Sequence, residues 1–497
     1  MQAYLMFKEK KFDSKESLPQ YLEDLVSDLG LDVIFEAASN KDEFTYKVIK
    51  TGILLSLKDK EEIIYRQNVL KDCINNKETV KAMYELSIEA IKKEKESLFG
   101  IFIKHPDSIV YSSRQVLEDF FDILKKLKNI ILESESNFKS QGFQLFFSRI
   151  KAKLSDEYLD RVDLILKHLR FEDGILITSK INMSAKPSFF RIMYPKREKQ
   201  SFIKSFLKSK NAYTIYIPER DEGGFRALSE LKNNALSKIA NILANTVYYL
   251  LDFFNQLKVE LTFYIACTEL YDKLQKIGIS LCFPVIYSQD KRVLSFEDLS
   301  ESSLALVKKG PVVSNSLCIN NIDLILTTGA NMGGKTTFLR SIGQACLFSQ
   351  CGMFVAAKSF EYSLSNGVFT HFKRQEDKTL KSGKFDEELK RLNNIVNYLK
   401  PNALVLFNES FSSTNDHEAS IIAKYITEGL IEKKIRIFFV THLWEFASLI
   451  SKENYNNVMF LKAQRNLDGT RTFKIVESKP QSKSYAEDLF KKIFNKE

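Results

Sequence analysis

The stretch Gly329-Ala-Asn-Met-Gly-Gly-Lys-Thr336 decides how this part of the chain folds, because it fits the pattern G-x-x-x-x-G-K-[ST]. It follows the apolar run 322–328, which is typical of a strand, and precedes the run 337–342, which is typical of the start of a helix. Glycines in such a turn allow backbone N–H groups to converge on phosphates at the positive end of a helix. Lys335 can reach the β- and γ-phosphates, and the Thr336 hydroxyl can hold Mg²⁺. The motif therefore predicts a nucleoside triphosphate site, the alternative being a glycine turn that precedes a helix by chance.

Short apolar runs alternate with helical stretches from Leu281 onward. This alternation predicts a parallel α/β sheet with helices on both faces. The runs expected to form strands are 322–326, 352–356, 403–407 and 435–440.

The chain before this region has a mainly helical pattern, with apolar residues spaced three and four apart. Its most distinctive part is the run 226–277, which contains neither Pro nor Gly. This run predicts one long helix that could act as a strut, and two helices joined by an unmarked turn are the alternative.

Composition sets limits on the class of protein. The chain has 497 residues, 44% hydrophobic and 27% charged, as expected for two or three globular domains. Its net charge of +10 favours a polyanionic partner, although genome composition alone can also enrich a protein in lysine. Six cysteines without a CxxC pair argue against a zinc or disulfide framework, and the start of the chain has no signal-peptide pattern. Together with the lack of a long apolar run, these features predict a cytoplasmic protein without a membrane partner.

Two further positions follow predicted strands and carry chemistry suited to a triphosphate. Glu409, after the strand 403–407, stands where a carboxylate would position and polarise a water for hydrolysis. Asn408 replaces the Asp that normally precedes it, which keeps an oxygen ligand but loses a charge. We therefore expect weaker Mg²⁺ retention or slower turnover. His442, just after the strand 435–440, could donate a hydrogen bond to the γ-phosphate.

The segment 328–340 resembles the MutS family, whose members carry T-G-x-N-M-G-G-K-[ST]-T. The similarity extends from about residue 30 to the end of the chain. Supporting segments are Glu61-Glu-Ile-Ile-Tyr-Arg-Gln67, Gly352-Met-Phe-Val-Ala-Ala357, Gly367-Val-Phe-Thr370, 407–415, Val440-Thr-His442 and 484–489.

This resemblance implies a multidomain α and α/β fold, in which a helical core and lever domain is followed by an ABC-type P-loop ATPase domain with a covered β-sheet. The implied divisions are a short segment 1–30, the helical domain 31–280, the ATPase domain 281–480 and a dimerisation segment 481–497. The implied activity is ATP hydrolysis with Mg²⁺ in a homodimer joined through the ATPase domains. The implied partner is mismatched or branched DNA, in repair or in the control of recombination.

The resemblance also assigns roles to individual residues. Glu409 would be the general base, and His442 would sense the γ-phosphate. Mg²⁺ would be held by Thr336, Asn408 and Glu409. Nucleotide contacts would come from Asn315, Gly329, Ala330, Asn331, Met332, Gly333, Gly334, Lys335, Thr336 and Thr337.

The chain departs from the family pattern in three places. We expect a short form, because the mismatch-reading N-terminal domain has no room before the core domain. Only 171–224 lie where the family has its large clamp insertion. Ser382-Gly-Lys-Phe385 replaces a Ser-Thr-Phe segment that reaches the partner's ATP, so Ser382 or the backbone would have to make that contact.

The basic segment 196–210 is the candidate for DNA contact, since it combines phosphate-neutralising side chains with interleaved Phe residues. An ordinary amphipathic helix with a solvated lysine face explains the same pattern. The DNA-binding candidates are Lys196, Arg197, Lys204, Lys208 and Lys210.

The alternative function for the whole chain is an ATP-switched structural or signalling dimer, with little hydrolysis and a protein partner.

Overall fold

The computed structural model describes residues 1–98, 105–172, 174–184, 187–193, 214–329, 332–374, 383–453, 455–466 and 470–479. Within these residues the chain forms two compact units. The first unit comprises the described residues of Met1–Ala3, Glu78–Phe138 and Gln144–Lys258. The second unit comprises the described residues of Tyr4–Lys77, Lys139–Phe143 and Val259–Glu497.

The elements up to the end of the long helix are almost entirely helical. In chain order they are α1 (Tyr21–Leu29), α2 (Leu31–Ser39), α3 (Glu43–Leu54), α4 (Lys60–Asn75), α5 (Lys77–Leu98), α6 (Pro106–Ser134), α7 (Gln141–Lys153), α8 (Asp156–His168), β1 (Leu176–Ile181), β2 (Pro187–Met193) and α9 (Glu222–Lys276). The helix α9 is continuous over 55 residues, which confirms the prediction of one long helix. β1 and β2 pair as an antiparallel hairpin that the helical pattern did not predict.

The elements after residue 280 alternate strands and helices. They are β3 (Val285–Tyr287), β4 (Val293–Leu299), α10 (Ser302–Lys308), β5 (Asn315–Asn320), β6 (Leu324–Thr328), α11 (Lys335–Gln350), β7 (Ser359–Ser363), β8 (Val368–Phe372), α12 (Lys384–Val396), β9 (Leu404–Asn408), α13 (Asp416–Glu432), β10 (Arg436–Val440), α14 (Trp444–Lys452), β11 (Val458–Arg465) and β12 (Arg471–Glu477). The predicted combination of a helical part and an α/β part is confirmed.

The larger sheet has the strand order β12-β11-β6-β10-β9-β8, and every neighbouring pair is parallel except β11 with β12. Its strands β6, β9 and β10 are buried apolar runs, as expected for a parallel sheet covered on both faces. A second, smaller sheet has the order β3-β7-β4-β5.

One predicted strand was wrong. The run 352–356 is buried but forms only an isolated bridge, between Val355 and Cys282. An apolar run this short identifies burial and not conformation, because a buried connection after a helix has the same composition as a strand.

The register of the larger sheet determines where its loops meet. Val440, the last residue of β10, pairs with Asn408 at the end of β9 and with Thr327 near the end of β6. The segments that follow these three strands therefore leave the sheet at one edge. They are the glycine-rich loop, the Glu409 turn and Thr441-His442, which the chain order alone does not bring together.

The first helices belong to the same compact unit as the sheets. Arg340 Nε and Gln344 Nε2, both on α11, donate hydrogen bonds to the carbonyl oxygens of Asp28 and Leu29, at 2.7 and 2.8 Å. These contacts place α1 to α4 in the same unit as the α/β elements. The predicted division instead assigned residues 31–280 to the helical domain and began the ATPase domain at residue 281. The predicted boundaries remain a proposal, and the segment 481–497 lies outside the described residues. Among the described helices, none has the length and apolar character needed to cross a membrane.

Candidate nucleotide site

The glycine-rich loop between β6 and α11 has a backbone that only glycine adopts easily. Gly329 and Gly334 have φ angles of +119° and +92°, a region that strains other residues. A Cβ at Gly329 would also stand 3.1 Å from the backbone nitrogen of Ala463. Gly334 caps the N-terminus of α11, so the free N–H groups of that helix face the loop. The predicted nucleotide contacts Ala330 and Asn331 lie outside the described residues.

Lys335, the first residue of α11, is buried with only 4% of its surface exposed. Its Nζ donates a hydrogen bond of 2.7 Å to the carbonyl oxygen of Gly329, across the loop. Burial lowers the pKa of Lys335, while the nearby Glu409 carboxylate raises it. The loop therefore holds a desolvated ammonium group, which a polyanionic ligand would stabilise.

Two of the three predicted metal-binding side chains contact each other. The Thr336 hydroxyl, on α11, donates a hydrogen bond of 3.2 Å to Asn408 Oδ1, at the end of β9. A hydroxyl and an amide oxygen are hard neutral ligands of the kind Mg²⁺ accepts alongside phosphate oxygens and water. The residues present thus fit the cation, with one negative charge fewer than an aspartate at this position would provide.

Glu409 begins a turn immediately after β9. Its φ angle is +54°, and its backbone N–H donates a hydrogen bond of 2.8 Å to the carbonyl oxygen of Val440. This bond ties the start of the turn to the neighbouring strand β10. The residue lines the same pocket as Lys335.

That pocket has a volume of about 250 Å³ and combines two kinds of lining. The polar part comes from Gly333 to Thr337 of the loop and helix, together with Glu409. The apolar part comes from the same loop and helix and from other elements, and its members are Leu299, Leu304, Val312, Val313, Met332, Phe338 and Phe473. A nucleotide needs both kinds of surface, since its phosphates are polyanionic and its base is flat and largely apolar.

The remaining predicted residues differ in how they relate to this pocket. Asn315 lines it, and its Oδ1 accepts a hydrogen bond of 2.7 Å from the backbone N–H of Ile475, on β12. His442 is exposed at the same edge of the sheet but is not among the residues that line the pocket. Other predicted residues lie outside the described part, namely Lys196, Arg197, Lys204, Lys208, Lys210 and Ser382.

Sequence reasoning missed several lining residues. Glu301 caps the N-terminus of α10 by accepting hydrogen bonds from the N–H groups of Ser303 and Leu304. Phe473 lies on β12, far along the chain from the loop it contacts. The capping pattern around Glu301 could have located α10, but no local signal connects either residue to a nucleotide.

Comparison with known proteins gives matches over most of the chain. The model of the MutS2 N-terminal domain matches residues 58–277, and the model of MutS domain V matches residues 325–493. The second match contains the glycine-rich loop and the Glu409 turn.

Individual relatives match over shorter stretches. DNA mismatch repair protein MutS of Clostridium botulinum (strain Alaska E43 / Type E3) is 32% identical over 149 residues, which is 29% of this chain and 16% of that protein. The protein of the same name from Thermus aquaticus is 30% identical over 167 residues, covering 34% of this chain and 20% of the relative. MutS protein homolog 4 of Mus musculus is 28% identical over 182 residues, covering 35% and 19%. The matched region thus spans a fifth or less of the length of these relatives. The two domain matches, together with these relatives, show that the chain belongs to the MutS family.

Proposed function

We propose that this protein binds and hydrolyses ATP, and that its nucleotide state controls its hold on mismatched or branched DNA in DNA repair or recombination control. The observation that carries the proposal is that Lys335, Thr336 and Glu409 all line the same pocket. Two of the relatives are named DNA mismatch repair protein MutS, which supports DNA as the partner.

In this proposal each residue of the site has a distinct task. The N–H groups at the start of α11 and the Lys335 ammonium bind the phosphates. Thr336 and Asn408 hold Mg²⁺, which would neutralise charge on the phosphates when bound. Glu409 accepts a proton from the attacking water, and His442 reaches the γ-phosphate after a local movement of its exposed side chain. Two chains pair through their ATPase domains as a homodimer, and α9 transmits the change.

The test of the DNA partner is the steady-state ATPase rate with intact duplex, mismatched duplex and four-way DNA, compared with the rate without DNA. We expect several-fold stimulation of the ATPase rate by at least one irregular DNA and a weaker effect of intact duplex.

The triple variant Lys204→Glu, Lys208→Glu, Lys210→Glu should bind DNA more weakly and with a flatter salt dependence, because it loses phosphate contacts. Absence of DNA binding at low salt would favour the alternative, an ATP-switched signalling dimer with little hydrolysis. The neutral Asn408 is the observation that keeps this alternative open.

Restoring the missing charge should strengthen the metal site. For Asn408→Asp we expect the Mg²⁺ concentration at half-maximal ATPase rate to fall about fivefold, since a carboxylate beside Thr336 Oγ1 adds an attraction on the order of 1 kcal/mol. The measurement is the ATPase rate across a titration of free Mg²⁺ at constant ATP.

Asn393→Asp, on the exposed face of α12, adds the same charge elsewhere and serves as the control. If Asn408→Asp and Asn393→Asp have the same Mg²⁺ dependence as the unmodified protein, Asn408 is not a metal-binding position.

A further inference from the structure

The turn that carries Glu409 has an unfavourable backbone. Two of its residues, Glu409 and Phe411, have φ angles of +54° and +66°, in the left-handed region that side chains with a Cβ rarely adopt. Neither residue is a glycine, so the conformation must be held by contacts around the turn. The residue between them, Ser410, is fully buried.

A buried histidine on the neighbouring strand holds Ser410. His371, on β8, pairs with Phe407 of β9 just before the turn. The Ser410 hydroxyl lies 2.6 Å from the His371 carbonyl oxygen and 2.8 Å from His371 Nδ1. The imidazole ring also stacks on Phe411, with ring centroids 5.8 Å apart and planes inclined by 25°. His371 thus contacts two consecutive residues of the turn.

A carboxylate from α12 holds the next backbone group. Glu388 Oε1 accepts a hydrogen bond of 2.6 Å from the backbone N–H of Phe411, and the Glu388 carbonyl oxygen lies 3.1 Å from His371 Nε2. The other carboxylate oxygen, Oε2, is buried and has no hydrogen-bond partner among the described residues. Burying a carboxylate for one backbone hydrogen bond is a costly arrangement, and such arrangements occur preferentially at functional sites.

The ring of His371 is suited to holding the turn and not to transferring protons. Burial, together with the positive charges of Arg391 and Arg374, lowers the pKa of His371 to about 3. The ring is therefore neutral at neutral pH and carries one N–H group. That N–H can donate from Nδ1 to Ser410 Oγ, whose own proton goes to the His371 carbonyl oxygen, or from Nε2 to the Glu388 carbonyl oxygen.

We propose that His371 and Glu388 are positioning residues that fix the Glu409 turn. They hold the Glu409 carboxylate toward the nucleotide pocket and couple its position to that of α12. This inference rests on the proposed function, in which Glu409 is the general base. Ser410 is the hydroxyl through which His371 acts.

The test uses variants of the full-length protein that remove one contact each. Glu388→Met removes the acceptor for the Phe411 N–H, and Ser410→Ala removes the hydroxyl between His371 and the turn. We expect each to lower kcat at least tenfold while the Kd for ATP changes less than twofold. Glu388→Gln keeps an acceptor oxygen and should recover most of the lost rate. Glu387→Met, at the preceding position of α12, is the matched control.

A double variant separates positioning from general support of the fold. Combined with Glu409→Gln, the Glu388→Met change should lower kcat no further, because the group it positions is already inactive. Equal kcat values for Ser410→Ala, Glu388→Met and the unmodified protein would overturn the proposal, as would additive losses in the double variant. If Glu388→Met does not fold, Ser410→Ala and its combination with Glu409→Gln decide the question. An unmodified protein that binds ATP without hydrolysing it would refute the proposed function, and this inference with it.

Discussion

Replacing Lys335 with Met is expected to weaken ATP binding by at least about 100-fold. A charge-assisted hydrogen bond contributes about 1.5–3 kcal/mol, and each 1.4 kcal/mol corresponds to a tenfold change in affinity. Lys335 can serve two phosphates, so its loss removes at least about 3 kcal/mol by this estimate. Met keeps a long, flexible apolar side chain in a position that is almost fully buried. The measurement is calorimetric titration with ATP in the presence of Mg²⁺.

The same variant should be more stable than the unmodified protein when no nucleotide is bound. Burial lowers the pKa of Lys335, which shows that its charge is held away from water at a cost, and Met removes that cost. The apparent Tm should therefore rise without ATP, and the increase in Tm that ATP produces should disappear.

A suitable control is Lys358→Met, which removes an exposed lysine paired with Glu297 in the same compact unit. This variant should bind ATP with unchanged affinity. If Lys335→Met binds ATP within threefold of the unmodified protein, the glycine-rich loop is not the phosphate site.

The sequence was most informative where a residue pattern has a local physical cause. The loop 329–336 could be assigned because its glycines are required by the backbone, as the φ angles of Gly329 and Gly334 show. The continuous helix α9 followed from the absence of Pro and Gly over 226–277. The strands β9 and β10 followed from apolar runs whose ends carry polar residues.

Features that depend on distant parts of the chain were not predictable in this way. The family-like segment 367–370 ends just before His371 but gave it no role, because its contacts with Ser410 and Glu388 join three different elements, 39 and 17 residues away in sequence. Phe473 lines the nucleotide pocket from β12, more than a hundred residues after the loop. The run 352–356 was assigned to a strand because its composition records burial alone. Strand pairing brings such residues together, but the residue types at the individual positions do not reveal which strands pair.

The strand order also gives a reason for the spacing of the site residues along the chain. β10 lies between β6 and β9, so the segment after β10 stands between the glycine-rich loop and the Glu409 turn. The hydrogen bond from Glu409 N–H to the Val440 carbonyl links two of these segments directly. Movement of Thr441-His442 would therefore shift the backbone of Glu409.

Replacing Glu409 with Gln is expected to lower the ATP hydrolysis rate at least about 100-fold while ATP binding is retained. Gln has nearly the same shape as Glu but cannot accept the proton of the attacking water, and general-base catalysis contributes about 10²–10⁴-fold. The change also removes a negative charge from the pocket, which reduces repulsion of the γ-phosphate. ATP affinity should therefore be equal or higher. Single-turnover hydrolysis and equilibrium titration measure the two quantities separately.

Retention of ATP has a consequence for assembly that tests the proposed dimer. If ATP closes an interface between two chains, Glu409→Gln with ATP and Mg²⁺ should remain dimeric at protein concentrations where the unmodified protein dissociates after hydrolysis. Sedimentation velocity with ATP, and again with ADP, measures this difference. Glu432→Gln, at the exposed end of α13, is the control and should behave as the unmodified protein. An unchanged hydrolysis rate in Glu409→Gln would remove this carboxylate from the mechanism. A very low rate in the unmodified protein, together with ATP-dependent dimers, would instead favour the signalling dimer, because nucleotide binding alone would then drive the switch.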